Sequence, residues 1–288
     1  MQSRTFALHL AMTPGLGGKS VTRILTRNNL LGRSPEEFLT LSPETFREEY
    51  KLPAKAAYNL TNRRLETTAE IEQRLSALGV TLVTAADAHY PARVEQMDPD
   101  PPGVLFMFGN TKLLESATFC VLSSRNAFPA ELNQIETLTE SGVLEGGILV
   151  TGHDTPEYQR SAVVPLRWGS PRILCLDRGM FNVLGESLRD EAFRAARLWR
   201  YEFDPQTDLV VSPFRPEAEF IGINNKIRDR LVASLSMTLQ FVKISEGGNM
   251  ERLIKLALRA GRKVAVSDRI IGYRQYVELG AELISSSE

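Results

Sequence analysis

From about residue 117 onward, short apolar runs recur at regular intervals: "TFCVLSS", "GGILVTG", "RILCLD", "DLVVSPF", "LQFVKIS", "KVAVSD" and "AELISS". They are rich in Val, Ile and Leu and show little polar alternation, as strands covered on both faces do. Helical patterns over 128–141, 185–199, 217–235 and 250–260 lie between most of them. Strand alternating with helix predicts a mostly parallel, doubly wound α/β sheet.

The front of the chain has a different texture. "TFALHLAM" is apolar at helical spacing, and "TPGLGGKSVTRILTRN" reads as a turn entering a helix. Ser34 and Ser42 stand at expected N-caps of two short helices, each read as a capping box closed by an acid three residues on. "TTAEIEQRLSALG" is a further helix, stopped by Gly79. The pattern predicts a small all-helical domain over 1–78 and a Rossmann-like domain over 79–288. Most of "DPDPPGVLF" (98–106) is too proline-rich for regular structure.

With 43% hydrophobic and 24% charged residues, the composition is that of a soluble globular protein. Thirty-four Lys and Arg against 35 Asp and Glu leave a net charge of -1, so any polyanion site must be a local patch. The two cysteines, Cys120 and Cys175, sit in apolar runs and are expected as buried free thiols. Three scattered histidines and no CxxC spacing argue against a metal site. No apolar stretch approaches the roughly 18 residues of a membrane span. The opening residues read as a first helix rather than a signal peptide, and the expected location is the cytoplasm.

In open α/β sheets, ligands bind beyond the carboxyl ends of strands. That singles out "SSRN", with Ser124 and Arg125, and "SEGGNMERL", where Gly247, Gly248 and Asn249 open a helix. Glycines there let backbone approach an anion, and the helix N-terminus supplies N–H groups. Both loops also fit a plain steric turn. "TGHDTPEY" offers His153 and Asp154, which read as loop polarity and helix capping. Arg252, Lys255, Arg259 and Arg262 form a cationic stripe, with Leu253, Leu256, Ala257 and Ala260 expected to face the core. In "INNKIRDRLVASLS", Lys226, Arg228 and Arg230 surround one acid. Arg228 and Arg230 are two apart, which splays them by about 200° on a continuous helix, so spacing alone leaves open whether they share an anion. At the front, Lys19, Arg23, Arg27 and Arg33 fall within fifteen residues that contain no acid. Gly17, Lys19 and Arg23 there are candidates for an auxiliary backbone-contacting turn, or the glycines simply let two helices pack.

Taken in order, these segments resemble the DNA-processing protein A (DprA/Smf) family. "RDRLVASLS" stands where that family has a basic triplet, two apolar residues and Gly-Leu-Ser. "YPARVEQMDPDPPGVLFMFGN" is similar to its segment entering the Rossmann-like domain, and "LSSRNAF" to its Gly-Ser-Arg loop. "GGILVTG", "LVVSPF" and "SEGGNMERLIKLALRAGRKVAV" follow its later strands and turn, and "TPGLGGKSVTRIL" is similar to its helix-hairpin-helix (SAM-like) turn. The order holds from about residue 6 to 268. The chain departs from the pattern in "HDTPEYQRSAVVPL", at Asp229 and Ser234, and at Gly247-Gly248-Asn249 in place of Ser-Gly-Ser.

The resemblance implies a non-enzymatic protein, acting as a homodimer, that binds and protects single-stranded DNA and delivers it to the RecA recombinase. It implies no cofactor and no metal. The phosphate-binding residues it points to are Ser124, Arg125, Lys226, Arg228, Arg230, Gly247, Gly248, Asn249 and Lys255. Rossmann-like relatives also suggest a sensor of a small nucleotide ligand. A nucleoside-monophosphate phosphoribohydrolase is the remaining alternative: "GGNME" keeps the double glycine and Glu251 but lacks the Gly-Thr of such enzymes.

Overall fold

In a computed structural model of the chain, residues 3–62 and 65–285 are described. The chain divides into two compact units. Met1–Tyr90, Pro99–Phe106 and Pro213–Arg215 form the first; Pro91–Asp98, Met107–Ser212 and Pro216–Glu288 form the second.

The first unit carries helices α1 (Ser3–Ala11), α2 (Gly18–Leu31), α3 (Pro35–Leu39), α4 (Pro43–Glu48), α5 (Ala54–Asn62) and α6 (Leu65–Ala77), then strand β1 (Thr81–Thr84). Ser34 caps α3 in a reciprocal box: its hydroxyl accepts from Glu37 N–H, and the Glu37 carboxylate accepts from Ser34 N–H. At Ser42 only the hydroxyl half forms, to Thr45 N–H, because the third residue on is Thr45 rather than an acid. The core gathers Phe6, Phe38, Phe46 and Tyr50, with Phe38 in ring contact with the other three at 4.9–5.4 Å between centroids. Gly18 has a steric reason: a Cβ there would lie 2.0 Å from the Pro101 carbonyl oxygen.

The second unit opens with α7 (Ala92–Met97) and takes up the end of β2 (Val104–Gly109). Strands β3 (Thr118–Ser123), β4 (Ile148–Gly152), β5 (Arg172–Cys175), β6 (Leu209–Ser212), β7 (Thr238–Lys243), β8 (Lys263–Ser267) and β9 (Glu282–Ile284) coincide with the seven apolar runs. Within this unit they lie in the order β6-β5-β4-β3-β7-β8-β9, each pair parallel. The expected Rossmann-like sheet is present. Its flanking helices are α8 (Pro129–Leu144), α9 (Pro156–Ala162), α10 (Val164–Arg167), α11 (Phe181–Leu184), α12 (Asn224–Leu235), α13 (Asn249–Arg259) and α14 (Arg274–Glu278). Phe119, Val121, Leu149 and Val242 of the sheet pack with Ile135 and Val143 of α8. Cys120 and Cys175 are buried free thiols, and burial pushes Cys120 up to about 12 and Cys175 above its ordinary range too.

Two helical expectations need correction. Residues 185–199 are not a helix: Gly185 and Leu188 have φ of 71° and 57°, Asp190 bridges Glu202, and only a 3₁₀ turn follows at Arg194–Leu198. The helix expected over 217–235 begins at Asn224. In α13 the buried positions are Met250, Leu253, Ile254 and Ala257, while Leu256 and Ala260 are half-buried. Among the described residues, no helix is long and apolar enough to cross a membrane.

Candidate nucleic-acid interface

Connections β3–β4–β5–β6 progress in one direction, and β7 then returns to the other side of β3. The switch point lies between β4 and β7, around β3, where open sheets of this kind bind ligands. A cleft of about 450 Å³ opens there. Its walls come from the loop after β3 (Ser123, Ser124, Arg125), the start of α9 (Thr155, Glu157, Tyr158), the start of α12 (Asn225, Lys226, Arg228, Asp229) and the turn into α13 (Ser245, Gly248, Asn249, Met250). Phe220 and Gly222 complete it.

Local sequence fixes each wall. Ser124 N–H continues the β3–β7 pairing by donating to the Lys243 carbonyl, and its hydroxyl accepts from Ser245 N–H at 2.9 Å. The loops after β3 and β7 are thereby tied together. Asn126 takes a left-handed φ of 60°, which its short polar side chain tolerates, and the buried Glu157 carboxylate accepts from Ala127 N–H. The turn into α13 needs both glycines. Gly247 sits at φ 68°, and a Cβ on Gly248 would meet the Ser245 carbonyl oxygen at 2.7 Å. Gly248 is the N-cap of α13 and offers no side chain, so the first-turn N–H groups are left without a side-chain cap at the cleft.

Cleft cations fall into two kinds. Arg125 and Lys226 are exposed, and among the described residues neither side chain makes a hydrogen bond or ion pair. Arg228 is 1% exposed and saturated by protein. Its guanidinium donates twice to Asp229 Oδ1, at 2.9 and 3.1 Å, reaches Asp177 Oδ2 at 3.3 Å and the His153 carbonyl, and lies 4.7 Å from the centre of the Tyr158 ring. Burial lowers its proton affinity, but Asp229 and the other neighbours outweigh that and hold it above its ordinary value.

Asp229, the acid between the two arginines, is turned inward. Its Oδ1 also accepts from the Tyr158 hydroxyl at 2.9 Å, and its Oδ2 from the Asn249 amide at 2.8 Å. Burial, then Asp229, keeps the Tyr158 phenol well above its usual range and therefore protonated, the donor in this bond. The acid thus anchors three cleft residues and its charge is neutralised by Arg228.

The structure does not bring every candidate together. Ser124, Arg125, Lys226, Arg228, Gly248 and Asn249 share the cleft, with Gly247 in its turn. Arg230 splays away as the helix period requires and pairs with buried Asp98 at 3.0 Å. Lys255 pairs with Glu251 on its own helix, whose other oxygen accepts from Gly247 N–H. Two members of the cationic stripe are also engaged: Arg252 donates to the Gly247 carbonyl and Arg262 to that of Arg93. At the front, Gly17 is the N-cap of α2, Lys19 is exposed, and Arg23 donates to Ser20 and the Lys51 carbonyl. His153 and Asp154 are joined to the loop after β5: His153 Nδ1 lies 3.4 Å from Asp177, and Arg178 pairs with both Asp177 and Asp154.

Tyr158 and Glu157 are site residues that the sequence reading missed. The available signal was Gly152 at the end of β4, where a Cβ would come within 2.6 Å of the Tyr158 ring.

Residues 81–154 match the family model described as DNA recombination-mediator protein A. The fold agrees along the whole length. DNA processing protein A of Streptococcus pneumoniae superposes with a TM-score of 0.75 at 17% identity, covering 99% of this chain and 96% of that one. DNA processing protein A of Helicobacter pylori, whose structure is described in terms of a single-stranded DNA binding mode, gives 0.55 at 17% identity over 71% and 90%. No curated protein sequence matches the chain. The likeness to these two structures is one of fold, and the switch-point cleft is where open sheets of this fold bind ligands.

Proposed function

We propose that this chain is a divergent protein of the DNA processing protein A type. It binds single-stranded DNA in the switch-point cleft, protects it in the cytoplasm as a homodimer, and hands it to the RecA recombinase. The role needs no metal or cofactor and is not enzymatic. The observation that carries the reading is the convergence of Arg125 and Lys226, cations unpaired among the described residues, with the N–H groups of α13 that have no side-chain cap, on one cleft. Guanidinium, ammonium and helix N-terminus are complementary to phosphate oxygens.

Arg228 has a different part in this scheme: it braces the cleft floor while Arg125 and Lys226 hold the phosphates. A phosphoribohydrolase role for Glu251 fits poorly, because its carboxylate is bound to Lys255 and to Gly247 N–H. A mononucleotide fits the same chemistry, and length dependence separates the two ligands. Labelled oligo-dT is expected to bind more tightly than the matching duplex and more tightly than thymidine monophosphate. R125A/K226A is expected to weaken oligo-dT roughly a hundredfold or more, each charged hydrogen bond contributing about 1.5–3 kcal/mol. Its melting temperature should barely change. Equal affinity for mononucleotide and oligomer would replace the DNA reading with a nucleotide sensor.

A further inference from the structure

The connection between β5 and β6 presents an unusual surface. From Arg194 to Tyr201 the sequence is "RAARLWRY", with three arginines and no acid. Leu198, Trp199 and Tyr201 are 83%, 43% and 76% exposed. Arg194 and Arg197 are exposed as well, and among the described residues neither makes a hydrogen bond or ion pair. Arg197 lies 5.9 Å from the centre of the Tyr201 ring. Across from the segment, Arg167 lies 5.3 Å from the centre of the Trp199 ring, and the adjoining Trp168 is 51% exposed with its indole N–H on Glu140.

This surface is irregular in backbone but firmly held. Arg172, fully buried at the start of β5, donates to both oxygens of Glu191 at 2.7 and 2.8 Å and to Asp208 at 3.0 Å. Arg200 closes the cage on Asp208 at 2.7 Å. Phe193, Ala196 and Phe203 are buried between these anchors. The exposed rings are therefore presented by a segment pinned at both ends, which limits the ordering cost of binding.

We infer that Arg194–Tyr201, with Trp168, is a second contact surface for single-stranded DNA: a stacking platform set at the amino ends of β5 and β6, away from the cleft at the carboxyl ends of β3, β4 and β7. Exposed aromatic rings interleaved with unpaired arginines are what a single strand needs, the rings stacking bases and the guanidinium groups meeting phosphates. The absence of any acid in the segment disfavours a basic partner surface, and the arginines suit a polyanion. The inference extends the proposed DNA binding but stands on different residues.

The chain's two tryptophans are Trp168 and Trp199, and neither lines the cleft. Tryptophan emission therefore reports the platform, while anisotropy of a labelled oligomer reports total binding. An oligo-dT of about 20 nucleotides, longer than the roughly 4–16 of one compact site, is expected to quench tryptophan emission with the same midpoint as the anisotropy change. W199A/Y201A should weaken that oligomer about tenfold or more and leave a hexamer unaffected. R194A/R197A, which alters exposed charge alone, should weaken it in the same direction. Binding by anisotropy with no change in emission, or full affinity in both variants, overturns the platform and leaves the cleft reading intact. If the variants change only the oligomeric state, the surface serves a protein contact and the inference fails. If no oligomer binds the wild type, both readings fail.

Discussion

Arg172, at the start of β5, and Arg228, in α12, are the largest fully buried side chains among the described residues. Arg172 is shut in: Glu191, Asp208 and the Ala162 carbonyl surround it, and its side chain is fully buried. Arg228 is equally well paired, by Asp229, Asp177 and the His153 carbonyl, yet it forms the floor of an open cleft. Burying a guanidinium costs several kcal/mol unless its partners are complete. At Arg172 that cost fixes an irregular connection. At Arg228 it fixes the walls that carry Arg125, Lys226 and the α13 turn. Two arginines of like burial therefore have different work, and what separates them is the neighbouring surface rather than their own contacts.

Substitution should expose that difference. R172M leaves Glu191 as an uncompensated buried charge and Asp208 with Arg200 alone, and a loss of about 3–5 kcal/mol is expected in urea unfolding. Affinity of the folded variant for a hexamer should stay at the wild-type value. R228M takes the guanidinium from buried Asp229 and leaves Asp177 with Arg178 and His153, so a slightly smaller loss of about 2–4 kcal/mol is expected. Here oligo-dT affinity should fall with stability, since Asp229, which lines the cleft, is then left without its guanidinium and opposes the incoming phosphate. Unchanged affinity in R228M would erase the distinction between the two sites.

Acid titration sharpens the picture at Asp177. Burial alone would raise its carboxyl, but hydrogen bonds from His153 and Arg178 hold it below its ordinary value of 3.8. A depressed folded value means that the contribution is fully present above pH 3.8 and is lost as pH falls through the folded value. Melting temperature against pH should therefore drop less steeply below pH 3.8 in D177N than in the wild type. Parallel curves would remove Asp177 from the acid response.

The smallest effect is expected at Arg230. R230A leaves buried Asp98 without this ion pair, and a stability loss of about 1–2 kcal/mol should appear with oligo-dT affinity unchanged. A binding loss at R230A would return this residue to the phosphate site.

The inner strands of the second unit were legible because their Val, Ile and Leu runs are buried on both faces, as in β5 and β6, whereas β9 is an exposed edge strand. The segment 185–199 misled because its helical pattern comes partly from Glu191 and Phe193, which turn inward to the Arg172 cage and to the core. At the site, Arg125 and the glycine turn could be picked out from their place just after strands. The sequestration of Arg228 could not, because Asp177 lies 51 positions away, and Tyr158 lies 71 from the Asp229 it binds. Local spacing separated Arg228 from Arg230 by angle, but only tertiary partners showed that each is already occupied.

The salt dependence of oligo-dT binding bears most directly on the assignment of Arg125 and Lys226 to phosphate. Each phosphate contact on a single strand contributes about 0.7 to the slope of log affinity against log salt. R125A/K226A should therefore flatten the wild-type slope by about 1.4, at an unchanged melting temperature. A double variant with the wild-type slope and affinity would contradict the assignment and place the DNA elsewhere on the molecule.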